Sequence, residues 1–129
     1  MRESILKNKM ILAVDDEPDV LTVLEEEVLD ACPDCQFHKV TNYREAVEKM
    51  TSCTYDAVIV DVFGVQGFNL LELARRRHFP VGLLTTYPLT RETLRLPARL
   101  AARAYLPKER LGEIVPFLEE ILEYNYLPG

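Results

Sequence analysis

MILAVDDEPDV, residues 10–20, passes from an unbroken apolar run into two adjacent aspartates and then into a helix-like pattern. Met10 to Val14 reads as a short strand covered on both faces. Glu17 is placed to act as N-cap with Pro18 at the first helical position, and Leu21, Leu24 and Val28 recur at the spacing of one buried helix face. The unit is therefore strand, acidic turn, helix. The turn carries a cost, because two like charges about 4 Å apart repel by ~4 kcal/mol at an effective dielectric of 20. Asp15 and Asp16 call for either open water or a metal.

The same cycle repeats along the chain. Cys32 to Gln36 breaks the first helix and Phe37 to Val40 forms a second short strand. Asn42 then caps a helix in which Glu45 can complete a capping box and Ala46, Val47 and Met50 face inward. Ala57 to Val60 (AVIV) is the most strand-like run, followed by a glycine-containing turn and a helix around Leu70, Leu71, Leu73 and Ala74. Pro80 precedes a fourth strand, Val81 to Leu84. A fourth helix is expected from about Thr90, shortened, kinked or restarted at Pro97, which cannot sit inside it without removing a hydrogen bond. Ala104 to Leu106 is the last strand, and Leu111, Ile114, Leu118, Ile121 and Leu122 mark a closing fifth helix whose first turn Pro116 sets or bends. Five strands alternating with five helices specify an α/β doubly wound parallel sheet, since parallel neighbours need crossovers and right-handed crossovers can cover both faces. The 129 residues fit one domain with a real core and leave no room for a second.

Composition narrows the function classes. The chain is 48% hydrophobic and 28% charged, as expected of a soluble globular protein, and no apolar run approaches the ~20 residues that a membrane span needs. MRESILKNKM is too short and too polar for a secretory signal, so a cytoplasmic setting is expected. A net charge of -6 argues against direct nucleic-acid binding, and the lone basic run, Arg75 to Arg77, reads as a solvated helix end. Cys32, Cys35 and His38 have a zinc-like C-x-x-C-x-x-H spacing, but a structural zinc needs a fourth ligand and Pro33 and Asp34 read as ordinary turn residues. A thioredoxin-like redox role fits less well, because that motif opens a helix whereas this one follows one.

In a doubly wound sheet, ligands bind in the crevice outside the carboxyl ends of the strands. Asp15 and Asp16 end the first strand, Asp61 the third and Thr85 the fourth, and Lys108 lies just beyond the fifth. Any one of them has a bland reading, Asp16 as a helix cap or Lys108 as a solvated cation. All five on one rim are harder to assign to capping. Magnesium prefers oxygen ligands and is commonly held by one or two carboxylates plus a phosphate, which explains the crowded acids. With charge neutralised, an aspartate can attack phosphorus to give an acyl phosphate, while a lysine supplies a point charge and a threonine a hydrogen bond to the transferred group.

The ordered pieces MILAVDDEPDV, YDAVIVDV, PVGLLTT and AYLPK resemble the receiver domain of bacterial two-component response regulators over nearly the whole chain. The resemblance implies a single receiver domain over residues 1–129 with no output domain, built as a flavodoxin-like (βα)5 sheet in strand order 2-1-3-4-5. It implies that Asp61 accepts a phosphoryl group from a histidine kinase or a histidine phosphotransfer protein, with Mg²⁺ held by Asp16, Asp61 and the Phe63 carbonyl and supported by Asp15 through water. Thr85 and Lys108 would contact the phosphoryl group and Tyr105 would swing inward. A downstream protein target, or a homodimer, would use the face of the fourth helix, fifth strand and fifth helix. Such a protein is a signalling phosphoacceptor, with slow autodephosphorylation as its own chemistry.

The chain also departs from the family pattern. GVQGFN, residues 64–69, lacks the usual proline and brings its second glycine about two residues early. Glu109 stands where a proline usually follows the lysine. Phe63 and Tyr87 occupy the two positions that tune self-dephosphorylation, and neither positions water well, so a long-lived phosphoryl group is expected. The rivals are a pseudo-receiver that signals without phosphate and, from IVDVFGV, a haloacid-dehalogenase-type phosphatase, whose second aspartate is replaced here by Phe63. A flavodoxin-like flavin carrier lacks its Ser/Thr-rich phosphate loop, and a dinucleotide site lacks G-x-G-x-x-G.

Overall fold

Alternate residues of the central strands enter two different cores, which is how the sheet comes to be covered on both sides. The computed structural model describes residues 5–61, 64–86 and 102–124. Its strands are β1 (Met10–Val14), β2 (Gln36–Val40), β3 (Ala57–Asp61), β4 (Val81–Thr85) and β5 (Ala102–Pro107), all parallel, in the order β2-β1-β3-β4-β5. Leu12, Val14, Val58, Val60, Val81 and Leu83 meet α2 (Tyr43–Ser52) and α3 (Gly67–Arg76) on one face. Ile11, Ala13, Ala57, Ile59 and Leu84 meet α1 (Pro18–Ala31) and the closing helix α4 (Ile114–Tyr124) on the other. The expected order 2-1-3-4-5 is observed. The fourth helix expected from Thr90 lies outside the described residues. Among the described residues, no helix is long and apolar enough to cross a membrane.

Local chemistry accounts for the helix starts. Glu17 is the extended residue before α1 and Pro18 opens it, with Leu21, Leu24 and Val28 buried as their spacing predicts. Asn42 caps α2 by accepting the Glu45 N–H at 2.9 Å, and Ala46 and Met50 are buried behind it. Asn42→Ala is therefore expected to lower stability by about 1 kcal/mol in a denaturant titration. A loss indistinguishable from zero would contradict the cap.

Several boundaries differ from expectation. β3 and β4 run one residue further, to Asp61 and Thr85, because backbone pairing with Leu84 and Pro107 continues after the side chains turn polar. β5 begins earlier, and a register shift opposite Val81 and Gly82 slips one extra residue into its ladder. Lys108–Glu113 forms a 3-10 stretch with a kink at Arg110, so Leu111 precedes α4, and Pro116 sits in the helix's first turn, where its missing N–H is not needed. Gly82 lets α4 approach β4: a Cβ there would come within 2.6 Å of the Phe117 ring.

The zinc spacing does not gather its three residues. Cys32 and Cys35 are buried in the core on the α1 and α4 face. The His38 ring instead meets the Tyr55 hydroxyl at 2.8 Å on the opposite face, where Tyr55 belongs to the other core. Burial, with the neighbouring Cys32 and Asp56, pushes the Cys35 thiol up to about 11, away from the thiolate form that metal binding and redox chemistry need. At the end of α3, Arg75 and Arg76 pair with Glu72, and the Arg77 Nε donates to the Met50 carbonyl.

Candidate functional site

Val14 is the last residue of β1, yet the Asp15 N–H still donates to the Val40 carbonyl of β2 at 3.2 Å. The sheet therefore holds the first aspartate rigidly. Its Oδ1 accepts the Glu17 N–H at 2.9 Å, a local turn bond that fixes the carboxylate's orientation. Asp15 is fully buried, Asp16 is exposed, and Asp61, held at the end of β3, is 5% exposed. One oxygen from each of the three lies within 4.8 Å of the others.

Lys108 reaches into this cluster from the residue after β5. Its Nζ donates to Glu17 Oε1 at 2.8 Å and to Asp61 Oδ2 at 3.2 Å, and stands 2.9 Å from Asp15 Oδ2. The last contact is a buried ion pair, and the ammonium is the partner that offsets the charge of Asp15 Oδ2. Burial raises the Asp15 pKa above the ordinary carboxylate value; Lys108 and the Glu17 N–H pull it down and Asp61 pushes it up. Burial alone would lower the Lys108 pKa, but Glu17, Asp15 and Asp61 together outweigh it and hold the ammonium above the ordinary lysine value.

These features fit a hard divalent cation. The donors are all carboxylate oxygens, two of them on buried residues, and their mutual repulsion is only partly relieved by one ammonium. Gly64 keeps the space open: a Cβ there would overlap Asp61 Oδ2 and lie 3.1 Å from Asp16 Oδ1. Because folding raises the Asp15 pKa, ionising Asp15 destabilises the fold progressively as the pH rises from the ordinary carboxylate value through the folded one. In metal-free buffer, Asp15→Asn is thus expected to raise the thermal midpoint at neutral pH and to narrow its gap from mildly acidic pH. A lowered midpoint would contradict this.

Thr85 ends β4, 4% exposed, with its backbone opposite Pro107, the residue before Lys108. Asp61 is opposite Leu84, the residue before Thr85, so the threonine, lysine and aspartate share one edge of the sheet. Tyr105, 40% exposed, lines a groove of about 220 Å³ with Leu106, Pro107, Arg110 and Phe117. Phe63, the expected source of a carbonyl ligand, and Tyr87 lie outside the described residues. Glu109 is exposed. Glu17 and Gly64 are site residues that sequence reasoning treated only as a cap and a turn.

No protein-family model and no curated protein matches the chain. Solved structures do. The response regulator protein TrrA from Thermotoga maritima, solved in complex with Mg²⁺ and BeF, is 29% identical with a TM-score of 0.74, over 88% of this chain and 99% of that one. A response regulator from Hahella chejuensis gives 23% identity and a TM-score of 0.74 over 93% and 99% of the two chains. A CheY-like receiver domain protein from Methanospirillum hungatei gives 18% and 0.72 over 90% and 94%. Response-regulator receiver domains are what this chain is similar to across most of its length.

Proposed function

We propose that residues 1–129 form the receiver domain of a two-component signalling system, with Asp61 as its phosphoacceptor. The observation that carries this reading is the meeting of Asp15, Asp16 and Asp61 oxygens within 4.8 Å of one another, beside an ammonium bonded to Asp61. Similarity to a response regulator solved with Mg²⁺ and BeF supports it. Asp15, Asp16 and Asp61 would hold Mg²⁺, which supplies neutralising charge for the carboxylates and the incoming phosphoryl oxygens.

Asp61 then attacks phosphorus, and a new carboxylate oxygen–phosphorus bond forms as the donor's leaving group departs. Lys108 exchanges part of its contact with the carboxylates for the transferred oxygens, and the Thr85 hydroxyl donates to one of them. The donor would be a histidine kinase or a histidine phosphotransfer protein. The added charge biases a two-state surface around Tyr105, β5 and α4, to which a downstream protein or a second copy docks. This is signalling rather than turnover, in a cytoplasmic setting, and Phe63 and Tyr87 favour slow loss of the phosphoryl group.

The test is intact-protein mass after treatment with acetyl phosphate. The expected result is a gain of one phosphoryl group with Mg²⁺, none with a chelator, and a label that outlasts seconds at neutral pH. No gain with Mg²⁺ under varied conditions or with kinases would favour a phosphate-independent pseudo-receiver.

A further inference from the structure

The shortest bond made by the Lys108 ammonium goes to neither buried aspartate but to Glu17, a residue 91 positions away whose side chain is 60% exposed. Glu17 occupies the N-cap position of α1 and makes no capping hydrogen bond with its side chain. That side chain instead crosses to Lys108, the first residue of the 3-10 stretch after β5. Its own N–H is tied to Asp15 Oδ1, so the backbone that aims it is fixed to the carboxylate cluster. The carboxylate touches a side chain that must change partners when Asp61 gains a phosphoryl group.

Resting on the phosphoacceptor reading above, we infer that Glu17 is a positioning residue that competes with the phosphoryl group for Lys108 and so restrains phosphorylation of Asp61. Before transfer, Lys108 balances Glu17, Asp15 and Asp61 at 2.8, 2.9 and 3.2 Å. In the transfer, the bond between phosphorus and the acetate oxygen of acetyl phosphate breaks, the bond to Asp61 forms, and acetate leaves with the electron pair. Negative charge now lies on the phosphoryl oxygens, and the ammonium serves them only as far as Glu17 releases it. Glu17 also presents a negative charge at the solvent side of the site, where an anionic donor enters. Neutralising it removes both obstacles and leaves Asp15, Asp16, Asp61 and Lys108 in place.

The experiment follows phosphorylation rate against acetyl phosphate concentration, at saturating Mg²⁺ and two ionic strengths, for wild type, Glu17→Gln and the control Glu25→Gln. Glu25 lies on the same helix and pairs with Lys39, outside the site. The expected result for Glu17→Gln is a second-order rate constant about fivefold higher, mainly through a lower half-saturating donor concentration, with the gain shrinking as salt screens the charge. Glu25→Gln should match wild type. A double-mutant cycle on the unphosphorylated protein, measured by denaturant unfolding, should show that Glu17→Gln alters stability with Lys108 present and not beside Lys108→Met. A wild type that is phosphorylated while Glu17→Gln is no faster, or slower, overturns this inference alone. A wild type that takes up no phosphoryl group overturns the phosphoacceptor reading and this inference with it.

Discussion

Asp61→Asn is expected to take up no phosphoryl group from acetyl phosphate and Mg²⁺ under conditions expected to phosphorylate the wild type. The substitution is nearly isosteric, and its amide oxygen can still accept from Lys108, now 3.2 Å from Asp61 Oδ2. The lost property is nucleophilicity, because a neutral amide is a far weaker nucleophile than an ionised carboxylate. The fold should survive, since the change removes one of three crowded negative charges and no core volume. Circular dichroism matching the wild type, together with no mass gain, is the expected pair of results. A mass gain equal to the wild type's would place the acceptor elsewhere.

Lys108→Met should cost about 3–5 kcal/mol of unfolding free energy without metal, the range for removing one partner of a buried ion pair. The large figure applies because the lysine side chain is 11% exposed and the Asp15 and Asp61 side chains are 0% and 7% exposed, so water screens the remaining carboxylates poorly. Methionine keeps the stem's bulk and removes only the charge. Two further results distinguish charge from packing. Asp15→Asn in the same chain should recover much of the loss, and Mg²⁺ at about 100 times its dissociation constant should restore about 2.7 kcal/mol by binding the folded state alone. A loss below about 1 kcal/mol would mean that the pair behaves as an exposed one. Because folding raises the Lys108 pKa, its stabilising share is complete below the ordinary lysine value and is lost only as the pH climbs through the still higher folded one. Across the neutral range, the pair is intact.

The central strands were legible because both their faces are covered: MILAV, AVIV and VGLL read as strands without alternation and are strands. The β5 start was less legible, since its ladder takes in an extra residue opposite Val81 and Gly82 and no apolar pattern announces a bulge. The α4 start was blurred by the 3-10 stretch, which carries Leu111 at a spacing that suits a helix. At the site, Asp15, Asp16, Asp61, Thr85 and Lys108 could be placed on one rim from strand ends alone. Glu17 and Gly64 could not, because their importance lies in proximity across space: one reaches a lysine 91 residues away, and the other leaves room where a methyl group would overlap a carboxylate. An acid next to the aspartate pair and a glycine soon after Asp61 were the available signals. Cys32, Cys35 and His38 show the converse, a suggestive spacing that the pleat divides between two faces of the sheet.

The central claim is that carboxylates from separate strand ends share one divalent cation whose presence makes Asp61 reactive. It is tested most directly by measuring, on the wild type, the initial rate of phosphorylation by acetyl phosphate across a Mg²⁺ titration, alongside the thermal midpoint in the same buffers. The expected result is a rate near zero without metal and one dissociation constant describing both the rise in rate and the rise in midpoint. A rate independent of Mg²⁺, or a midpoint that never moves while the rate rises, would contradict it.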